Sequence, residues 1–261
     1  GLPKDRTIVT AHDGSIKSIM ATSTARLYKE CYPQCKHVQM FSESQASEFR
    51  YNYPGPEVTV IPLAMKDYGK PTEELRSDCV SFVSFGTIHA EKNIPLLIQA
   101  ADELYDEGVR GFKVSINGQW KIGKSPEELI RHPEIFEVHA SLVDNKDIPN
   151  LFARNTFIIY PYKMMSQSGA LKVAFNYYKP VIVSDLPGFK EEVLQGVNGY
   201  FFHSEDVASL KAVMRSCIEM SPEKYNSLLA STKEYIDKKY STAAIIGKYK
   251  DMFTKVLEDN K

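Results

Sequence analysis

The sequence predicts an α/β protein built on Rossmann-type parallel sheets with helices on both faces, the later sheet complete and the earlier one partial. Three observations carry that expectation. Apolar runs of strand length alternate with amphipathic stretches of helix length, the pattern of parallel strands joined by right-handed crossovers. Glycine, serine and other polar residues gather directly after the apolar runs instead of scattering. The rhythm breaks once, over residues 65–78, where Gly69, Pro71 and a cluster of charges mark a linker.

With 261 residues, 43% hydrophobic and 25% charged, the chain has room for one large or two modest domains. Its 32 basic and 33 acidic residues leave a net charge of −1. That balance gives no sign of a polyanion binder as a whole and leaves open only a local basic patch; no nucleic-acid partner is expected. No apolar run approaches the roughly 18 residues of a spanning helix, and no signal peptide is recognised. Cys31, Cys35, Cys79 and Cys217 form no zinc pattern and read as reduced thiols of a cytoplasmic protein. Gly1 reads as the scar of a cleaved tag, with natural residues expected before it.

The elements follow in order. Residues 6–13 form a buried strand opening into polar residues, and a helix is expected over 18–31. A second strand ends at Ser42, and residues 58–64 form a third. After the linker, residues 79–86 are a strand. The stretch NIPLLIQAADELYDEG then sets Ile94, Leu97, Ile98, Ala101 and Leu104 on one helical face and stops at Gly108. Residues 112–118 and 136–142 are strands, 147–155 a short helix, and 156–162 a strand. A polar loop, a helix and a strand entered through Lys179-Pro180 come next. A helical tail over residues 223–260 is split near Ser241. The expected domains are a remnant over 1–66, a linker over 67–78, a complete sheet domain over 79–240, and a closing helix over 241–261 that returns toward the first domain.

In open parallel sheets ligands sit at the carboxyl ends of the strands. The residues there are Gly86, Thr87, His89 and Lys92, then Asn117, Gly118 and Trp120. Ser141, Leu142, Val143 and Asp144 follow, and then the loop and helix start with Ser166, Gln167, Ser168, Gly169 and Lys172. Glycine and serine let backbone amides approach phosphate oxygens, and a helix start adds unpaired N–H groups and partial positive charge. A diphosphate is the natural guest. The same residues have plainer readings: Ser168 as a helix cap, Lys92 as a solvated lysine, His89 as a loop histidine, Trp120 as packing.

The order of these pieces is more specific than any one of them. From about residue 79 to residue 258 the chain resembles the nucleotide-sugar-binding half of the GT-B glycosyltransferases of group 1, family 4. The stretches that carry it are FVSFGTIHAEKNIPLLIQAADEL, FKVSINGQW, DIPNLFARNTFIIYPY and KPVIVSDLPGFKEEVLQGVNGYFF. Upstream, TIVTAHD, VQMFSESQASEF and VTVIPLA are similar to the end of that family's first, acceptor-side domain. A complete two-domain enzyme would carry roughly a hundred further residues before residue 1.

The resemblance implies a GT-B-like fold and transfer of a sugar from a UDP-, GDP- or ADP-sugar to a glycan, lipid-linked or other acceptor. It further implies a retaining, metal-independent reaction without cofactor, in cell-surface polysaccharide or glycoconjugate synthesis. The setting would be the cytoplasm, with peripheral contact to the inner face of the membrane. No Asp-x-Asp clamp is present, and no obligatory Mg²⁺ is expected. By the same resemblance Lys92 grips phosphate, the backbone of residues 141–143 meets the base, and His12 is the catalytic histidine facing the transferred sugar. Glu191 is expected to cap a helix start near the donor.

Departures from the family are equally specific. Thr87 stands where the family has a phosphate-gripping arginine, and Met165 and Val173 stand where it has two glutamates. A valine can neither accept from a ribose hydroxyl nor stabilise a cation-like transition state. Ser166, Gln167, Ser168 and Lys172 are the local substitutes able to hydrogen-bond a nucleotide. Three functions stay open at this level: a divergent active transferase, a nucleotide-sugar-binding module without turnover, and a GT-B-type sugar-nucleotide epimerase.

Overall fold

The computed structural model describes residues 6–12, 29–75, 78–165 and 167–259. Most of the helix expected over 18–31 therefore lies outside the described residues, as do Asp13 and Ser166. In chain order the elements begin with β1 (Ile8–Thr10), β2 (His37–Met40), α1 (Glu43–Asn52), β3 (Glu57–Val60), β4 (Val80–Phe85) and α2 (Ile94–Asp106). They continue with β5 (Phe112–Asn117), α3 (Pro126–Leu129), β6 (Phe136–His139), α4 (Ile148–Ala153), β7 (Phe157–Tyr160) and α5 (Gly169–Asn176). The last are β8 (Val181–Ser184), α6 (Pro187–Lys190), β9 (Gly199–Phe202), α7 (Val207–Ile218), α8 (Pro222–Tyr240) and α9 (Thr242–Glu258). The chain divides into two compact units, Gly1–Ala64 with Lys238–Lys261, and Met65–Asp237.

In the first unit β1, β2 and β3 pair in parallel in that order, with Ile8 opposite His37 and Val38 opposite Val58. The Ser42 hydroxyl caps α1 by accepting from Gln45 N, and the helix buries Ala46 and Phe49 beside Val38 and Met40. Helices α8 and α9 part at Ser241, whose hydroxyl accepts from Ala244 N. α9 then buries Ile245 and Met252 against Ile61.

The second unit holds a six-stranded parallel sheet in the order β6-β5-β4-β7-β8-β9. The chain runs outward from β4 through β5 to β6, then returns to the other side of β4 and runs out to β9. Strand order therefore reverses between β4 and β7, and a crevice at their carboxyl ends is the natural ligand site. Burial on both faces explains the unbroken apolar runs FIIY in β7 and VIV in β8. All five residues expected on the inner face of α2 are buried, and Gly108, at φ +84°, follows the helix end. Each of the leucine and isoleucine side chains among them contributes about 1.5–3 kcal/mol by leaving water, and the Ala101 methyl less. α7 joins the same core through Leu210, Met214 and Cys217. Among the described residues no helix is long and apolar enough to cross a membrane.

Candidate functional site

The site is built first from two glycines. β4 runs into Gly86 (φ +121°) and β5 into Gly118 (φ +147°). A Cβ on Gly118 would lie 1.9 Å from the carbonyl oxygen of Gly86, so only glycine lets these strand ends close together. Gly86 N donates to Asn117 O (3.0 Å) and Gly118 N to His139 O (2.9 Å), carrying the ladder one residue past the strands. On its other side Gly86 faces α5: a Cβ there would sit 4.0 Å from that of Ala170. The end of β4 and the start of α5 thus meet within one methyl group's reach.

Ser168 caps α5, its hydroxyl accepting from Leu171 N at 3.1 Å, so the plain capping role is realised. The exposed Gly169 and its neighbour Ala170 open the helix, where amides lack intrahelical acceptors and the macrodipole is positive. Tyr160 fixes this turn by donating its hydroxyl to Ala170 O (2.6 Å). Tyr162 joins the remaining pieces. Its buried hydroxyl bonds the Ser168 side chain, and its carbonyl accepts from Ser184 Oγ at 2.7 Å. The Lys92 ammonium lies over its ring, 3.8 Å from the centroid. One tyrosine therefore sets the loop after β4, the cap of α5 and the end of β8 against one another.

Electrostatics favour an anion here. Burial pulls the Lys92 ammonium below the usual lysine range, and the neighbouring Glu91 carboxylate pushes it back up. Burial likewise raises the Tyr162 phenol, opposed by its bond to Ser168. A half-buried ammonium on an aromatic face, beside a helix N-terminus, is a setting that a phosphate oxygen would complete.

The other expected residues are placed as follows. Thr87, His89 and Gln167 are half-buried near these turns in sequence. Leu142 is largely exposed and Val143 half-buried, past β6, with Ser141 Oγ 2.9 Å from His139 Nε2. Trp120 packs against the core and donates Nε1–H to Lys124 O (2.7 Å), the packing reading. His12 belongs to the first unit, exposed, with its ring 4.9 Å from that of Phe41.

Two expectations are corrected. Lys172 does not present its ammonium to a ligand: the side chain is buried and paired with Glu192, because α5 turns this position inward. Glu191 caps no helix start; it sits at the C-terminal end of α6, a four-residue helix already complete at Lys190. Val173, at the position of one absent glutamate, is buried, and Met165 is half-buried. The sequence reading passed over Tyr162 and Glu91. A tyrosine just past an apolar strand, in TFIIYPY, was the available signal, since a buried phenol demands a partner.

A family model for glycosyl transferases of group 1 matches residues 80–220. No curated protein matches the chain by sequence. Sucrose-phosphate synthase from Thermosynechococcus elongatus superposes with a TM-score of 0.78 at 15% identity, over 97% of this chain and 68% of that one. Anabaena HepE gives a TM-score of 0.76 at 16% identity, over 96% and 72%. Staphylococcus aureus TarM gives 0.73 at 16% identity, over 89% of this chain and 47% of its own. The chain shares their fold and spans part of their length.

Proposed function

The chain belongs to the group 1 glycosyl transferases, and from that premise we propose that its second unit holds the diphosphate of a nucleotide-sugar donor in the crevice between β4 and β7. The observation that carries the reading is the meeting of Gly86 with the start of α5, beside a Lys92 held on Tyr162. In this reading phosphate oxygens accept from the amides of Gly169 and Ala170 and from the Lys92 ammonium. The base lies along the backbone of residues 141–143. HepE was solved with UDP and glucose, and a pneumococcal transferase with UDP and GlcNAc, so a UDP-sugar is the first donor to test.

During transfer the bond from the sugar's anomeric carbon to the diphosphate breaks, and the diphosphate leaves with the electron pair. The acceptor hydroxyl forms the new bond, and its proton passes to the oxygen of the departing diphosphate. Lys92 and the helix terminus face the charge that grows on the leaving oxygen, and they speed the step insofar as they bind it more tightly in the transition state. We read the outcome as retaining and metal-independent, with His12 of the first unit as the catalytic histidine and a glycan or lipid-linked acceptor. The setting proposed is cytoplasmic cell-surface glycoconjugate synthesis, with peripheral membrane contact.

Calorimetric titration of UDP, GDP, ADP and their sugars into the wild type and Lys92→Ala tests the site. The variant is expected to lose roughly 1.5–3 kcal/mol, about 10- to 150-fold, the range for a charge-assisted hydrogen bond. Unchanged affinity removes Lys92 from the site. A second reading, a binding module without turnover, is favoured by Met165 and the buried Val173 at the glutamate positions. Saturable donor binding with no sugar released or transferred, across a panel of acceptors, would select it.

A further inference from the structure

A cavity of about 520 Å³ opens at the opposite end of the six-stranded sheet, against Val80 and Phe157, the first residues of β4 and β7. Cys79, Cys217, Met220 and Leu229 give it predominantly apolar walls. A neighbouring groove of about 330 Å³ shares Cys217 and Met220 with the cavity, so the two spaces meet at two sulfur-bearing side chains. Concavities of this size, apolar with few polar groups, are the usual form of a small-molecule site, and methionine makes an adaptable wall. Burial pushes the Cys217 thiol up to about 12, so it stays protonated and acts as apolar surface.

The polar groups are distributed unevenly. The polar lining of the groove is Lys224, Gln195, Ser216 and Tyr200, with no carboxylate among the described residues. Gln195 commits its Oε1 to Phe201 N (2.8 Å), which leaves its N–H groups without an acceptor among the described residues. The Lys224 ammonium has no acidic partner among them either. Among the described residues that line the larger cavity, the one acid is Asp78. An anionic group is thus drawn to the groove and repelled from the cavity, while an apolar chain is drawn to the cavity.

We propose that the cavity and groove together bind a single-chain amphiphile, its acyl chain in the cavity and its carboxylate head at Lys224. The site lies at the amino ends of the strands, away from the β4–β7 crevice, and does not depend on the donor reading.

Decanoate, decyltrimethylammonium and decanol, each below its aggregation limit, are titrated calorimetrically into the wild type, Lys224→Glu and Met220→Trp. Decanoate is expected to bind saturably, one per chain, at least tenfold tighter than the cationic and neutral chains. Lys224→Glu, at an exposed position, should abolish that preference, and Met220→Trp should abolish binding by filling the junction of the two spaces. Bound decanoate should also slow alkylation of Cys79 while leaving the exposed Cys31 unchanged. UDP affinity, measured on the same samples, should not move. Absence of saturable decanoate binding, equal affinity for all three heads, or a preference that survives Lys224→Glu would each overturn the proposal.

Discussion

Lys172→Met should destabilise the second unit without touching ligand binding. Lys172 and Glu192 are ion-paired with side-chain exposures of 2% and 12%, so removing the lysine leaves a carboxylate in low dielectric without its counter-charge. Losing one partner of a buried pair costs about 3–5 kcal/mol. Glu192 retains some contact with solvent, which places the expected cost near the lower end, about 3 kcal/mol. For a domain of this size each kcal/mol moves Tm by roughly 2–4 °C, so a fall of about 6–12 °C is expected in a circular-dichroism melt. The double variant Lys172→Met/Glu192→Leu should recover most of the loss, because a well-packed apolar pair needs no desolvated charges. The resulting double-mutant cycle should show coupling of about 2 kcal/mol or more. UDP affinity, measured well below Tm, should be unchanged. A variant with wild-type Tm and weakened nucleotide binding would refute the burial argument and return Lys172 to the site.

Three further outcomes are expected. Tyr162→Phe keeps the ring beneath Lys92 and loses only the bond to Ser168, so calorimetry should show nearly wild-type UDP affinity; Tyr162→Leu should bind about five- to tenfold more weakly, the scale of a partly desolvated cation–π contact. Gly118→Ala drives a methyl into the Gly86 carbonyl at a positive φ, and urea melts should show a loss of at least about 3 kcal/mol or no folded protein. Burial pulls Lys179 from 10.5 to about 8. Its folded pKa lies below its unfolded one, so its contribution is fully present above 10.5 and is lost as pH falls through about 8. Relative to Lys179→Met, the wild type should therefore lose roughly 2–3 kcal/mol in urea melts between pH 10.5 and pH 7, and a flat difference would contradict the burial assignment.

Periodicity made α2 legible, because five apolar residues at helical spacing need one neighbour surface and Gly108 supplies a stop. The runs of β7 and β8 were legible for the complementary reason, since strands covered on both faces need no polar alternation, whereas β4 (VSFVSF) and β5 (FKVSIN) were legible as short aromatic and β-branched stretches ending at a glycine. α1, β9 and α7 were not named. α7 buries Leu210, Met214 and Cys217 behind a face carrying Lys211 and Arg215, a weaker stripe than that of α2. β9 is four residues long and begins at Gly199, where a Cβ would lie 2.3 Å from Val181 O. That constraint is tertiary and leaves only an unexplained glycine in the sequence.

The candidate site divides the same way. Gly86, Gly118, Ser168 and Gly169 were legible as strand-end and helix-start positions, the glycines through their backbone and Ser168 through its capping hydroxyl. Lys172 was misread because its partner lies 20 residues away, and a polar residue on a helix reads as outward until that partner is seen. Tyr162 was missed because its importance lies in three contacts made by residues from separate segments.

A crystal structure with bound UDP tests the central claim most directly. The diphosphate should lie against the amides of Gly169 and Ala170, within hydrogen-bond distance of Lys92 Nζ, with Gly86 beneath it. A diphosphate seated elsewhere on the second unit, or a start of α5 closed off by its own side chains, would contradict the account.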